Sequence, residues 1–274
     1  MTSKTFPVFR PYSRLARSYD AALGVPNFLR TRHAFRFLVR RYAIRFRSAA
    51  DLGCGTGLFA RYLAACWRVP VFAVDRSREM LRVARGNCCG SAVQFLEQDI
   101  RCLRLPQPVD LITANFDTLN HLVHRDEVRR LFCRVAENLR PGGWFIFDFV
   151  TPCQPLAGRR TWVRRYRHCG RELQQRIHWD PPRRLLSILI VERWAAHSPP
   201  AVEVHRERAY APREIGRWLL DAGFVIRGVY DAATLRPARN CPSRLIVVVQ
   251  ARADHLRPDR SPRYRGAHQP EPQA

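Results

Sequence analysis

Residues 51 to 57 read Asp51-Leu52-Gly53-Cys54-Gly55-Thr56-Gly57, and a second aspartate, Asp75, follows 18 residues after the last glycine. Glycines at this spacing let main chain approach a ligand where any Cβ would collide. Ser48-Ala49-Ala50 with Leu52 reads as a short buried strand, and Leu58, Phe59, Tyr62 and Leu63 fall at helical spacing. A strand that turns through glycines into a helix leaves free backbone N–H groups at the helix N-terminus, where a polar ligand can bind. Val69 to Val74 reads as a second strand ending in Asp75, whose carboxylate can accept two hydrogen bonds from a ribose diol. The implied chemistry is nucleoside binding. The spacing is G-x-G-x-G rather than the dinucleotide G-x-G-x-x-G, and Asp51 under the loop would repel a pyrophosphate and suit a cationic or zwitterionic ligand.

The elements that must hold this loop alternate along the chain. The pattern predicts strands at 48–53, 69–75, 92–97, 109–115 and 143–150, with helices at 57–67, 77–87 and 125–139. Strands apolar on both faces, such as Val109-Asp110-Leu111-Ile112-Thr113-Ala114 and Trp144-Phe145-Ile146-Phe147, imply a parallel sheet covered on both sides. Before them, residues 11–47 read as two amphipathic helices divided at Gly24-Val25-Pro26. After them, four runs of strand character (Thr161–His168, Glu172–Trp179, Leu185–Trp194, Val202–Ala209) are separated by turn signals at Cys169-Gly170, Asp180-Pro181-Pro182 and Ser198-Pro199-Pro200. A helix at 212–222 and strands near 224–231 and 243–251 complete the sheet. The expected fold is α/β, a Rossmann-like parallel sheet with an antiparallel terminal strand. Its parts are an N-terminal helical lid (1–47), a nucleoside-binding core (48–156), an antiparallel β insertion (157–210), the completion of the core sheet (211–252) and a disordered basic tail (253–274).

Length and composition (274 residues, 46% hydrophobic) allow a sizeable core. No apolar run of signal-peptide or membrane-span type is present, so a cytoplasmic protein without membrane contact is expected. Nine scattered cysteines without C-x-x-C spacing fit that compartment, and no Cys/His set suggests a metal. The formal charge of +24 invites a nucleic-acid reading. However, Lys4 is the single lysine, and lysine is a good phosphate contact. A uniform arginine bias spread along the chain fits a GC-rich coding sequence better than a binding surface, which leaves nucleic acid disfavoured but open.

With the glycine loop, four motifs stand in order: Asp51 to Gly57; Asp75-Arg76-Ser77 with Met80-Leu81 and Ala84-Arg85; Gln98-Asp99-Ile100-Arg101; and Leu139-Arg140-Pro141-Gly142-Gly143. Together they resemble the class I S-adenosylmethionine (SAM) dependent methyltransferases, over roughly residues 12 to 252. The resemblance implies SAM as cofactor and S-adenosylhomocysteine as product. It places Asp51, Gly53, Cys54, Gly55 and Gly57 around the methionine part, Asp75 with Arg76 at the ribose, Asp99 and Ile100 at the adenine, and Asn115 with Phe116 beside the methyl.

The fourth strand continues as Asn115-Phe116-Asp117-Thr118-Leu119-Asn120-His121-Leu122 and lacks the N/D-P-P-Y/F-like sequence of enzymes that methylate exocyclic amines of nucleic-acid bases. Asp180-Pro181-Pro182 and Thr151-Pro152-Cys153 imitate nucleic-acid methyltransferase motifs in letters and read as turns. The sequence resembles instead the small-molecule branch that includes sugar and amino-acid N-methyltransferases, with Tyr19-Asp20 matching the branch's N-terminal Tyr-Asp pair. The resemblance implies His121, with a reference pKa near ~6.5, as catalytic base and Tyr19 as a cap on the pocket. The expected function is methyl transfer to a small-molecule acceptor, N before O. RNA or protein methylation and a non-catalytic SAM-binding subunit are the alternatives. Trp162, Tyr166, Trp179 and Trp194 among arginines could frame an acceptor, and the exposed edges of the insertion suit a homodimer.

Overall fold

The computed structural model describes residues 7–153, 160–168, 171–193, 200–240 and 242–252. In chain order the elements are β1 (Val8–Phe9), α1 (Val25–Arg41), β2 (Ala49–Leu52), α2 (Leu58–Trp67), β3 (Val71–Asp75), α3 (Arg78–Asn87), β4 (Val93–Glu97), β5 (Val109–Ala114), α4 (Arg125–Glu137) and β6 (Leu139–Val150). They continue as β7 (Thr161–His168), β8 (Arg171–Asp180), β9 (Leu185–Arg193), β10 (Ala201–Arg208), α5 (Pro212–Asp221), β11 (Phe224–Asp231) and β12 (Arg244–Ala251).

The main sheet has seven strands in the order β11-β12-β6-β5-β2-β3-β4. β2 pairs in parallel with both β3 and β5, so the chain reverses direction of travel across the sheet beside β2. That reversal opens a crevice at the strands' carboxyl ends. β12 runs antiparallel between β6 and β11, so the antiparallel strand ends the sequence yet lies one place in from the sheet edge. The strands are apolar on both faces because both are covered. Phe145 and Phe147 of β6 join the core with α4 and α5, while Ile146 between them joins the core with α1 and α2. β12 alternates in the same way, with Val247 and Val249 on one side and Ile246 and Val248 on the other.

The insertion forms a separate five-stranded sheet, β1-β10-β9-β8-β7, in which β7 to β10 are antiparallel and β1 pairs in parallel with β10. Asp180 ends β8, and the residues between it and β9 make a hairpin turn. Thr151-Pro152-Cys153 follows β6 directly. The sequence expectation for the N-terminus is corrected in two respects. Residues 11–23 form no regular α-helix: a 3-10 turn at Leu15–Arg17 is followed by a π-type turn at Asp20–Gly24. Nor is there a break at Gly24-Val25-Pro26, because that turn runs straight into α1. Pro26 lies in the first turn of α1, where no intrahelical partner awaits its missing N–H. Trp194, the turns at Cys169-Gly170 and Ser198-Pro199, and the tail 253–274 lie outside the described residues. Among the described residues no helix is long and apolar enough to cross a membrane.

Candidate active site

Between β2 and α2 the chain turns through Gly53, Gly55 and Gly57, all at positive φ (62°, 53° and 78°). At Gly55 an added Cβ would meet no atom within 4 Å, so this piece of main chain lies open to a ligand. Gly57 serves a different purpose. A Cβ there would lie 2.9 Å from the Cys88 thiol and 3.0 Å from Ala84, so the glycine allows α2 to pack against α3. Gly57 does not line the pocket above the loop, whereas every other residue expected at the cofactor does: Asp51, Gly53, Cys54, Gly55, Asp75, Arg76, Asp99, Ile100, Asn115 and Phe116. Tyr19 and His121 line it too.

Three carboxylates border this pocket in different states. Asp51 is 2% exposed and accepts the Thr113 hydroxyl at 2.7 Å. Burial pushes its pKa up to about 7, against the pull of that hydroxyl. Asp75 accepts the N–H groups of Gly55 at 2.9 Å and Ser77 at 2.8 Å, which aim it at the loop. Burial raises its pKa, and those two bonds oppose the rise. Each Asp75 oxygen keeps acceptor capacity for a ligand. Asp99 caps the 3-10 turn Ile100–Cys102 and is ion-paired with Arg101 at 2.6 Å. Burial would raise its pKa, yet the Arg101 guanidinium holds it below the usual carboxylate range. Asp99 is therefore already engaged on the side of Arg101, while Ile100 next to it presents an apolar wall to the pocket.

The N-terminal segment is fastened to the glycine loop through Asp20. The Thr56 hydroxyl donates to it at 2.5 Å and the Asn87 amide at 2.9 Å. This attachment delivers the neighbouring Tyr19 into the pocket, where burial pushes its phenol well up from its ordinary value.

Residues 49–143 match the model of a methyltransferase domain. An uncharacterized methyltransferase of Mycobacterium bovis is 32% identical over 148 residues, which is 49% of this chain and 70% of that protein. The chain belongs to the SAM-dependent methyltransferase family. A dTDP-3-amino-3,6-dideoxy-alpha-D-glucopyranose N,N-dimethyltransferase of Streptomyces fradiae is 29% identical over 145 residues, 49% of this chain and 56% of that one. A SAM-dependent methyltransferase structure from Clostridium acetobutylicum superimposes with a TM-score of 0.75 at 24% identity, covering 88% of this chain and 99% of that one, which shows the shared fold. The first curated relatives are matched over only 40% to 56% of their own length. The pocket of this methyltransferase fits SAM on its own chemistry. The space over Gly55 is open, and two carboxylates, Asp51 and Asp75, line it, which suits a donor that carries a sulfonium, an ammonium and a ribose diol.

A second cavity of about 580 Å³ lies between the carboxyl edge of the main sheet and the insertion sheet. Tyr12, Tyr19 and Phe116 line both spaces and form the wall between them. His121 stands beside this wall, with its Nε2 hydrogen-bonded to the Tyr12 hydroxyl at 2.6 Å. The ordinary imidazole value near 6.5 does not hold here. Burial, helped by His205, pulls the His121 pKa down to about 4, so the ring is neutral through the physiological range.

Phe116 and Asp117 are consecutive residues at positive φ, 57° and 62°. For non-glycine residues that conformation is strained by about 1–3 kcal/mol each. Arg244 holds it in place, bridging Asp117 at 2.6 Å and Asp148 at 3.1 Å. The Asp117 N–H donates to Asp148 at 3.3 Å. Burial pushes the Asp148 carboxyl up to about 6, against the attraction of Arg244.

Sequence reasoning missed Tyr12, Asp148, Arg244 and a row on β10, Glu203, His205 and Glu207. That row has a legible signal. Period-two alternation in Val202-Glu203-Val204-His205-Arg206-Glu207 separates the valines from the titratable residues. The usual reading turns the valines inward. Here Glu203, His205 and Glu207 are buried, and of the two valines Val204 is 39% exposed while Val202 is covered; His205 and Glu207 line a polar cavity. Of the aromatics expected to frame an acceptor, Trp162 and Tyr166 line the cavity, while Trp179 is packed with Ile177 and Leu186.

Proposed function

We propose that this methyltransferase moves the methyl group of SAM to a small-molecule acceptor, on nitrogen in preference to oxygen, with S-adenosylhomocysteine as the other product. The carrying observation is the wall shared by two cavities, Tyr12, Tyr19 and Phe116, with His121 beside it. Bound SAM would supply an electrophilic methyl on a positively charged sulfur. The protein's task is then placement and exclusion of water, which are the main requirements of an in-line displacement. In this reading Gly53, Gly55 and Asp51 hold the methionine part, Asp75 the ribose, Ile100 and Asp99 the adenine edge, and Asn115 with Phe116 the reacting end. Tyr19 closes the junction.

Nitrogen is preferred for a chemical reason. A neutral imidazole whose pKa lies near 4 is too weak a base to strip an alcohol, whereas a neutral amine already carries the lone pair that attacks the methyl. The name of the Streptomyces fradiae relative, an N,N-dimethyltransferase, agrees with that preference. The test is incubation of the purified protein with isotopically labelled SAM and a cell extract, followed by mass spectrometry. Label is expected in a small amine. Label confined to RNA or protein would overturn the acceptor class, and no S-adenosylhomocysteine with any pool would overturn catalysis.

A further inference from the structure

The cavity beyond Tyr12 and Tyr19 is lined by three acids, Asp117, Asp148 and Glu207, and by three arginines, Arg30, Arg164 and Arg244, whose positions are not matched to them. Arg244 is consumed by Asp117 and Asp148, and Arg30 and Arg164 are solvent-exposed, where water screens them. Glu207 is the carboxylate left over. It is 8% exposed, and its one ion-pair-range neighbour among the described residues is His121 Nε2 at 3.8 Å, an imidazole that is neutral near pH 7. A buried carboxylate without a cation is costly, so alone the group favours its protonated form, and it ionises when something positive sits against it.

Independent of the acids, the insertion sheet offers two unpaired groups to the same space. Gln175 is 7% exposed, lines the cavity and makes no side-chain hydrogen bond with a described residue. The Trp162 indole N–H, from the adjoining strand, is likewise buried without a partner. A buried indole N–H is normally satisfied, and a polar ligand would satisfy it while bonding the Gln175 amide.

We propose that Glu207 and Asp117 seat the acceptor's ammonium group, while Gln175 and the Trp162 N–H hold an oxygen substituent of the same molecule. This rests on the methyl-transfer reading and narrows its acceptor to a protonated amine that also carries a hydroxyl or carbonyl. Before reaction the ammonium nitrogen gives one proton to a Glu207 oxygen and keeps the electron pair of that N–H bond. Burial, with Asp117 close by, pushes the Glu207 carboxyl well up from its ordinary value, which makes it a better proton acceptor than His121. Arg244 is a positioning residue: it fixes the direction of Asp117.

Serinol and glycerol differ only in an ammonium for a hydroxyl and serve as probes. Calorimetry on the full chain saturated with S-adenosylhomocysteine, at neutral pH, should find serinol bound about tenfold or more tighter than glycerol, as a hydrogen bond to charge allows. Glu207→Gln should erase that preference while leaving S-adenosylhomocysteine affinity near wild type and the fold at least as stable at neutral pH. Gln175→Leu should weaken both probes alike. If Glu207→Gln does not fold, Asp117→Asn carries the same expectation, and the wild-type comparison needs no variant. A wild type that binds S-adenosylhomocysteine yet shows no serinol preference, or binds neither probe, overturns this site alone. A wild type that binds neither SAM nor S-adenosylhomocysteine overturns the cofactor reading and this site with it.

Discussion

Asp51, the next-to-last residue of β2, is almost fully buried, and burial pushes its carboxyl pKa up to about 7. In the unfolded chain the same group titrates near ~3.9. A raised folded-state pKa means that the native protein is favoured fully below the unfolded value and loses that advantage as pH rises toward about 7. Ligand-free Asp51→Asn should therefore be more stable than wild type at pH 8, by at most about 4 kcal/mol, and equal to it below pH 4. Denaturant melts at the two pH values would check this, and SAM affinity should fall in the same variant. His121 gives a second prediction. Because its folded pKa is about 4, the pH profile of turnover should show no inflection near 6.5 that His121→Ala removes. Finding such an inflection would restore the ordinary imidazole base. Asp75, Asp99 and the glycines were legible in the sequence because the geometry they serve is local. Glu207 and Arg244 were not, because their meaning depends on residues about 90 to 130 positions away in the chain.

The elements differ in how directly the sequence encodes them. The strands of the main sheet are continuous apolar runs because helices cover both faces, and that pattern is visible without a structure. The lid was misread because it is held by tertiary bonds rather than by its own periodicity. Glu203 on β10 accepts the N–H groups of Tyr12 and Arg14, both at 2.7 Å, and Leu15 at 3.0 Å. It also bonds the His205 ring at 2.8 Å. Burial alone would raise the Glu203 pKa, but the His205 and backbone bonds hold it below its ordinary value. Its contribution is thus present above the unfolded value of ~4.3 and fades as pH falls below it. Glu203→Ala should release the segment 12–15 at a cost of at least about 1.5–3 kcal/mol, the scale of one hydrogen bond to a charge. Amide hydrogen exchange would show it as lost protection at Tyr12, Arg14 and Leu15 while α4 and β6 stay protected. Unchanged exchange at those three amides would mean that the lid is held by something other than Glu203.

On the scale of the whole molecule, two sheets face each other across a junction where two cavities share three aromatic side chains. The fold class was readable from alternation, and the lining of the cavity over the glycine loop from that loop and one aspartate. The lining of the second cavity was not, because the insertion sheet buries Glu203, His205 and Glu207 against the usual pattern. Any hold that the +24 charge gave RNA would be electrostatic, with the steep salt dependence of counterion release. Such binding should not change the rate at which S-adenosylhomocysteine forms with a small amine. Everything rests on the glycine pocket as a SAM site, and titration calorimetry addresses that most directly. The expected result is saturable one-to-one binding of SAM, a loss of about 10- to 150-fold in Asp75→Ala, and no binding of a nicotinamide dinucleotide. Tight binding of the dinucleotide with indifference to SAM, or an Asp75→Ala variant that holds SAM as firmly as wild type, would contradict it.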